Sequence, residues 1–417
     1  MPTAPTCTVT VLRSRQAASV LRPGTYGLTA LLAALTGIGP LSTDMYLPSL
    51  PDIARLLSAN EAQVQLTISS YLIGFAIGQI VYGPFSDRFG RKPVLMAGLA
   101  IFSVATFLCA LASSVEMLIA ARALQAFGGC GGVVLSRAVV RDLYSGARAG
   151  REMSLIGAVM GLAPIIAPVA GGVLHDMFGW RSTFVALCVT GVALAAIAIA
   201  LLPETLKHRV AEPVTIGSML RSFRTFLRHG SYCAHLGLAV LCFAGLFAWL
   251  SASSFVLQNL YGLSPLAFGL VFAIGSAGYT GGSIAAARVV GPLGLDRTIG
   301  IGSAAMAAGG VLMLCVVASG LRSGVVLTLA MAVYLAGMGF VLSQSIAGAM
   351  QPFPERAGAA SSLLGFMQMT GSAIVGAIVG HLLGESAWPL AVTVALMGCG
   401  CLALWAATRR VRAASAP

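Results

Sequence analysis

The sequence predicts an all-α integral membrane protein, with twelve transmembrane helices in two pseudo-symmetric six-helix bundles. Three observations carry this. Of 417 residues, 58% are hydrophobic and 9% charged, and the mean hydropathy is +0.91, more apolar surface than a soluble core could hide. Apolar stretches of about 20 residues, enough to cross roughly 30 Å of hydrocarbon, recur between polar clusters. The longest polar interruption, residues 203–231, divides them six and six.

In order, the spans lie near 26–48, 64–83, 94–113, 117–138, 153–175, 181–202, 232–256, 264–287, 298–318, 323–349, 359–382 and 387–407. Each is expected to be helical, because an unpaired backbone group facing lipid costs several kcal/mol. The 50 glycines fit helices that pack through small residues, since lipid supplies no hydrophobic drive for helix contact. The expected division is a tail at 1–25, a bundle at 26–202, a loop at 203–231, a second bundle at 232–407 and a tail at 408–417.

Charge placement sets the topology. The formal charge of +12 would suggest nucleic acid in a soluble protein, but here 21 of 25 basic residues fall on the side of the N-terminus. Only Arg55, Arg181 and Arg322 fall opposite, and Arg122 lies within a span. That bias predicts both termini cytoplasmic. The first 24 residues carry Arg13, Arg15 and Arg22 without a compact apolar core and small-residue cleavage site, so they read as a cytoplasmic tail. The basic second half of the 203–231 loop is partly amphipathic and is expected on the inner leaflet.

Several chemistries are excluded or disfavoured. Nine cysteines, nearly all in apolar stretches, give neither a disulfide framework nor metal spacing. No P-loop sequence is present, so ATP is not bound that way. The glycines of "GGCGGV" lie inside an apolar helix with no strand before it, which suits close helix contact and not a dinucleotide. No cofactor or metal is expected.

Two features suggest a transporter. The pairs Gly78/Gly90 and Gly282/Gly294 have the same separation, each crossing from the second span of a half into the next inside loop. This faint echo suggests duplication, and duplicated bundles place substrate between their halves near the midplane and work by alternating access. The loop "GPFSDRFGRKPVL", residues 83–95, combines Gly83 and Gly90 for a tight reversal with Asp87, Arg88, Arg91 and Lys92 as an ion-pair latch. The alternative is a positive-inside hairpin of no mechanistic weight.

Asp44 is the only acid the pattern places within a span; the other twelve fall in loops or at span ends. A charged Asp at a helix centre costs roughly 2.5 to 3.5 kcal/mol on insertion scales, so this carboxyl is disposed to exchange a proton. It could instead cap a short outer helix ahead of Pro48 and Pro51. Arg122 is expected at similar depth, about five residues inside its span. Together they would form a proton-coupling switch or a static ion pair. Pocket candidates are aromatic and amide side chains: Tyr46, Gln125, Tyr71, Phe75, Trp249 and Gln258, with Phe255, Tyr279, Tyr334, Gln344 and Gln368 behind them. Scarce intramembrane acids point to neutral, weakly polar or singly cationic substrates. His235 and His381 are expected to pack at the membrane interface.

The 83–95 loop resembles the signature between spans two and three of the major facilitator superfamily. "RALQAFGGCGG", residues 122–132, resembles its fourth-span motif, and "APIIAPVAGG", residues 163–172, the fifth-span motif of its proton-coupled exporters. In the latter Pro164, Pro168, Gly171 and Gly172 fit, while Ala167 stands where many relatives have Gly. "STDMYLPSLP" and "AGAASSLLGFMQMTGSAIVG" resemble the bicyclomycin and chloramphenicol resistance (Bcr/CflA) branch. The C-terminal loop copy, "GPLGLDRT", has lost most of its charges, which leaves a latch there in doubt.

The resemblance implies a monomeric, proton-coupled exporter of small amphipathic drugs in a bacterial inner membrane, with protons, drug and lipid as its partners. The rival readings are a permease for a metabolite such as a nucleoside or sugar, and an intramembrane enzyme or sensor. An enzyme would need convergent polar groups that the spans hardly supply.

Overall fold

A computed structural model describes residues 25–144, 146–206, 216–353, 356–384 and 386–413. The expected tail with Arg13, Arg15 and Arg22, the middle of the central loop with Lys207 and Arg209, the acids Glu212, Glu355 and Glu385, and the last four residues lie outside the described residues.

Every regular element among the described residues is helical. The chain runs through α1 (Tyr26–Asp44), a 3-10 turn (Leu47–Ser49), α2 (Leu50–Leu56), α3 (Glu61–Phe89), α4 (Arg91–Ala110), α5 (Val115–Leu143), α6 (Gly146–Phe178) and α7 (Arg181–Leu201). After the central loop come α8 (Ile216–Leu227), α9 (Gly230–Phe255) with a π-helical turn (Val256–Leu260), α10 (Pro265–Leu293), α11 (Leu295–Ala318), α12 (Gly324–Met350), α13 (Ala357–Leu382), α14 (Trp388–Ala407) and α15 (Arg409–Ala413). Among the described residues, eleven helices are long and apolar enough to cross a membrane, and Leu162–Phe178 of α6 is a shorter apolar stretch. The helices overrun the predicted spans because they continue past the apolar stretch to capped ends. Asn60 and Gln63 form a capping box at α3, and the Ser114 hydroxyl accepts from the Met117 N–H at α5.

Overrun changes two assignments. Arg137, counted with the basic residues of the inside although it falls at the very end of the predicted span 117–138, lies well within α5, which continues to Leu143. Glu152 was expected at a span end. It is buried on α6, where Thr29 donates to its carboxylate at 2.6 Å.

The faint internal echo corresponds to a shared packing device. A Cβ on Gly74 would sit 2.0 Å from the Ala123 carbonyl oxygen, and one on Gly278 would sit 2.5 Å from that of Ala332. So α3 lies against α5 as α10 lies against α12, with backbones closer than any side chain permits. Gly90 and Gly294 hold φ of +104° and +77° between the paired helices of each half, where L-residues are strained.

The chain's two described extremities, the 83–95 loop and α15 lie at one end of the bundle, here called the basic end. At the opposite end the two groups of helices meet. Ser254 donates to the Leu47 carbonyl at 2.6 Å, Gln258 to the Pro48 carbonyl at 3.0 Å, and Asn259 to Glu61 at 3.2 Å. Alongside, α6 crosses α10. A Cβ on Gly172 would lie 2.8 Å from the Pro265 oxygen, and one on Gly269 would lie 2.5 Å from the Pro168 oxygen.

Candidate functional site

A cavity of about 400 Å³ lies between the two groups, on the basic-end side of that seam. Helices α1, α3, α5, α6, α9, α10, α12 and α13 line it, while α4, α7, α11 and α14 contribute nothing to its wall. Its surface is mostly apolar, with Phe75, Phe243, Phe247 and Phe272 beside the polar Tyr71, Gln79, Tyr279 and Gln368.

Asp44 is in that wall. It is the last residue of α1, at the helix's partially negative end, which offers no stabilisation to a carboxylate. The capping alternative is not realised: neither the 3-10 turn nor α2 has a side-chain cap. No salt bridge among the described residues reaches Asp44.

Arg122 is fully buried and is held elsewhere. Its Nη1 donates to the Ser42 carbonyl at 2.9 Å and to Gln125 Oε1 at 2.6 Å. Gln125 in turn donates to Thr106 at 2.8 Å. The guanidinium lies 4.4 Å from the Tyr46 ring centre, 4.3 Å from that of Tyr71 and 5.9 Å from that of Phe184. Aromatic faces favour a desolvated cation by about 0.5–2 kcal/mol each. Its Nε and Nη2 have no hydrogen-bond partner among the described residues.

The two charges thus share a depth and not a contact. Arg122 takes the backbone carbonyl of Ser42 near the end of α1, while Asp44, two residues on, is in the cavity wall. Tyr71 stands between them: its ring meets Arg122, its hydroxyl donates to the Gly39 carbonyl at 3.2 Å, and it lines the cavity.

Of the six first-rank pocket candidates, Tyr71 and Phe75 line the cavity. Tyr46 and Gln125 belong to the Arg122 cage, with the Tyr46 hydroxyl bonded to Thr67. Trp249 is buried behind Phe272, ring centres 6.4 Å apart. Gln258 is in the seam. Tyr279 and Gln368, ranked lower, are in the wall.

The fifth-span stretch occupies the seam beside Asp44. A Cβ on Gly171 would lie 1.8 Å from the Met45 oxygen, so α6 presses on the residue after Asp44 while Pro168 and Gly172 face α10. Ala167 is buried with Met45 and Leu187, so its methyl fills space at this contact. Pro164 lines the cavity. Further along α6, His175 bonds to Ser49 through Nδ1 and to Asp52 through Nε2, each at 2.9 Å. Sequence reasoning had passed over this tie, because its members are three separate loop-like positions until the helices meet.

The loop at the basic end is an ion-pair network within the first group of helices. Arg91 bonds to Asp87 at 2.6 Å, to Asp142 of α5 at 2.9 Å and to Ser86 at 2.6 Å. Glu204, just past α7, accepts from the backbone N–H groups of Arg91 and Lys92 at 3.0 and 3.2 Å. Gly90 admits that carboxylate, since a Cβ there would sit 2.5 Å from it. Gly83 has open space around it, and Arg88 lies over the Phe89 ring at 5.3 Å. The second copy, expected to be weak, keeps one pair: Asp296 with Arg412 of α15 at 2.8 Å.

The sequence profile described as "Major Facilitator Superfamily" matches residues 32–377. An MFS-type transporter of Bacillus subtilis is 34% identical over 85% of this chain and 88% of its own length. A bicyclomycin resistance protein homolog of Haemophilus influenzae is 31% identical over 87% and 91% of the two chains. A chloramphenicol resistance protein of Pseudomonas aeruginosa is 30% identical over 88% of each. The solved xylose transporter XylE from E. coli, in a partially occluded inward-open conformation, shares the fold with a TM-score of 0.72 at 15% identity, covering 92% of this chain and 97% of that one.

Proposed function

Because this chain belongs to the Major Facilitator Superfamily, and so is a multi-pass membrane transporter and not an enzyme, we propose that it exports small amphipathic drugs in exchange for protons. The single observation that carries this reading is Asp44: a carboxyl without an ionic partner among the described residues, in the wall of a cavity between two groups of helices. Relatives named for resistance to bicyclomycin and chloramphenicol support drugs as the cargo.

The proposed units are bundles at 26–202 and 232–407, with both termini and the basic end in the cytoplasm of a bacterial cell and the monomer as the working form. The seam is then closed on the outer side and the cavity belongs to the inward-facing state. Drug entering there meets Tyr71, Phe75 and the facing aromatic residues of α9 and α10, and favours loss of the Asp44 proton to the cytoplasm. Rocking of the bundles opens the seam outward, a proton from outside neutralises Asp44, and drug leaves. Arg122, behind Tyr71, supplies the positive potential that responds to the charge on Asp44.

Purified protein in liposomes, loaded with labelled chloramphenicol or a bicyclomycin-like drug and given an imposed pH gradient, tests this. Drug movement against its own gradient, driven by proton movement the other way, supports export. Downhill movement of nucleoside or sugar, with drug unmoved, supports the metabolite permease instead.

A further inference from the structure

The basic second half of the central loop has no task in the transport cycle, and in the structure it forms a helix with three distinct faces. On α8 the fully buried Phe226 packs with its ring centre 4.7 Å from that of Phe353 and 5.7 Å from that of Tyr232. That contact seats the helix on the start of α9 and the turn before α13. Leu220 and Leu227 lie about 100–120° further round, at 3.6 residues per turn, and are 60% and 47% exposed. Beyond them come Arg221 and Arg224, about 60° apart on the helix surface, and then Arg228 in the turn that ends the helix. All three arginines are exposed.

The charge of this face is not balanced from its own stretch of chain. No Asp or Glu occurs between Glu212 and Asp296, and Asp296 is taken by Arg412 at 2.8 Å. No salt bridge among the described residues reaches the three arginines. A Cβ on Gly230 would lie 2.9 Å from Val411, so the exposed Arg409 and Arg410 of α15 stand beside the turn that carries Arg228. The depth is set as well: α9, long and apolar enough to cross a membrane, begins at Gly230, two residues after Arg228. This puts α8 at the boundary between water and hydrocarbon. Exposed leucines beside arginines at that boundary suit a leaflet whose acyl chains take the leucines and whose phosphates take the guanidinium groups. An acidic protein would engage the arginines and leave Leu220 and Leu227 in water.

We propose that α8, with Arg228 of its last turn and the neighbouring arginines of α15, is a binding surface for the anionic phospholipid headgroups of the leaflet at the basic end. The surface goes beyond the transport reading and serves an exporter and a permease alike. Through it the linker between the two groups of helices is held on the bilayer, and the fraction of anionic lipid sets how firmly it is held.

The test is photo-cross-linking of the purified, full-length protein in nanodiscs of equal parts phosphatidylglycerol and phosphatidylcholine, with a benzophenone amino acid in place of Leu227 and captured lipid identified by mass. With the native arginines, phosphatidylglycerol should be captured about tenfold over phosphatidylcholine, between the effect of one and of two arginines at an anionic surface, each about fivefold. Arg221→Gln, Arg224→Gln and Arg228→Gln together should bring the ratio near one. Phosphatidylcholine should still be captured, which reports that the helix is folded and on the bilayer. Arg221→Lys, Arg224→Lys and Arg228→Lys together should keep most of the preference, since attraction to the leaflet follows charge. Arg224→Gln alone should lower the ratio several-fold, while Arg288→Gln, which removes an exposed cation of α10, should leave it unchanged. Capture of no lipid, or equal capture of the two lipids with the native arginines, overturns the proposal. So does a preference that survives the triple Gln variant, loss of both lipids in that variant, or a fall as large with Arg288→Gln as with Arg224→Gln. Capture of a protein in place of lipid, when the same chain is cross-linked in cell membranes, assigns the face to a protein partner and overturns it too.

Discussion

The guanidinium of Arg122 lies 4.3 Å from the ring centre of Tyr71, and the same ring forms part of the cavity wall that holds Asp44. A buried cation and a cavity carboxyl are therefore separated by one aromatic side chain and not joined as an ion pair. Charge on Asp44 is felt by Arg122 across a low-dielectric partition, where Coulomb terms are stronger than in water. Movement of Tyr71 would change that coupling.

Tyr71→Ala is therefore expected to weaken drug binding, by loss of wall area, and to alter the pH dependence of transport as well. Tyr71→Phe keeps the ring against Arg122 and loses only the bond to the Gly39 carbonyl, worth about 1 kcal/mol. Its transport should stay close to wild type. Initial rates of drug efflux at several external pH values distinguish the two variants.

Arg122→Ala should inactivate coupled transport, and Arg122→Lys should restore little, because an ammonium lacks the planar face that three aromatic rings receive. Normal efflux with normal pH dependence in Arg122→Ala would remove Arg122 from the coupling account.

Ser254→Ala removes a 2.6 Å hydrogen bond across the seam. A net bond of about 1 kcal/mol corresponds to a shift of about fivefold in population toward the state open at that end. Spin labels at the exposed Arg55 and Leu321 should show more of a long-distance population. Gly172→Val, which places side-chain atoms where the Pro265 carbonyl already lies, should give a larger shift in the same direction.

Glu204→Gln keeps the size of the side chain but weakens two charge-assisted bonds to the start of α4. Arg91→Ala leaves Asp142 without its cation. Both should lower the melting temperature of detergent-solubilised protein by several degrees, with Arg91→Ala the more severe. Arg88→Ala, whose contact is a ring at 5.3 Å, should change it little.

Helix number and class were legible because hydrocarbon permits only one way to satisfy each backbone group. Asp44 was legible for the same reason: a charge stands out in an apolar run. What its side chain faces was not, since the rotation of α1 is set by contacts with α3, α5, α6 and α7. Arg122 was placed at the right depth, but depth along a helix says nothing of facing. Asp142 and Glu204 were missed as partners of Arg91 because they lie 51 and 113 residues away in sequence. Gly171 and Gly172 were legible only through resemblance; their reason is the carbonyl of Met45 and the start of α10, both invisible in one dimension. Arg137 was only tallied with the inside cations at the end of span 117–138, because a count of basic residues cannot say which of them lines a cavity.

The most direct test of the central claim is proton-driven efflux by Asp44→Asn in liposomes. The variant keeps the size and polarity of the side chain and removes its titration, so it should insert and bind drug while losing drug movement against a gradient. Undiminished drug efflux under an imposed pH gradient in that variant would contradict the assignment of proton coupling to Asp44.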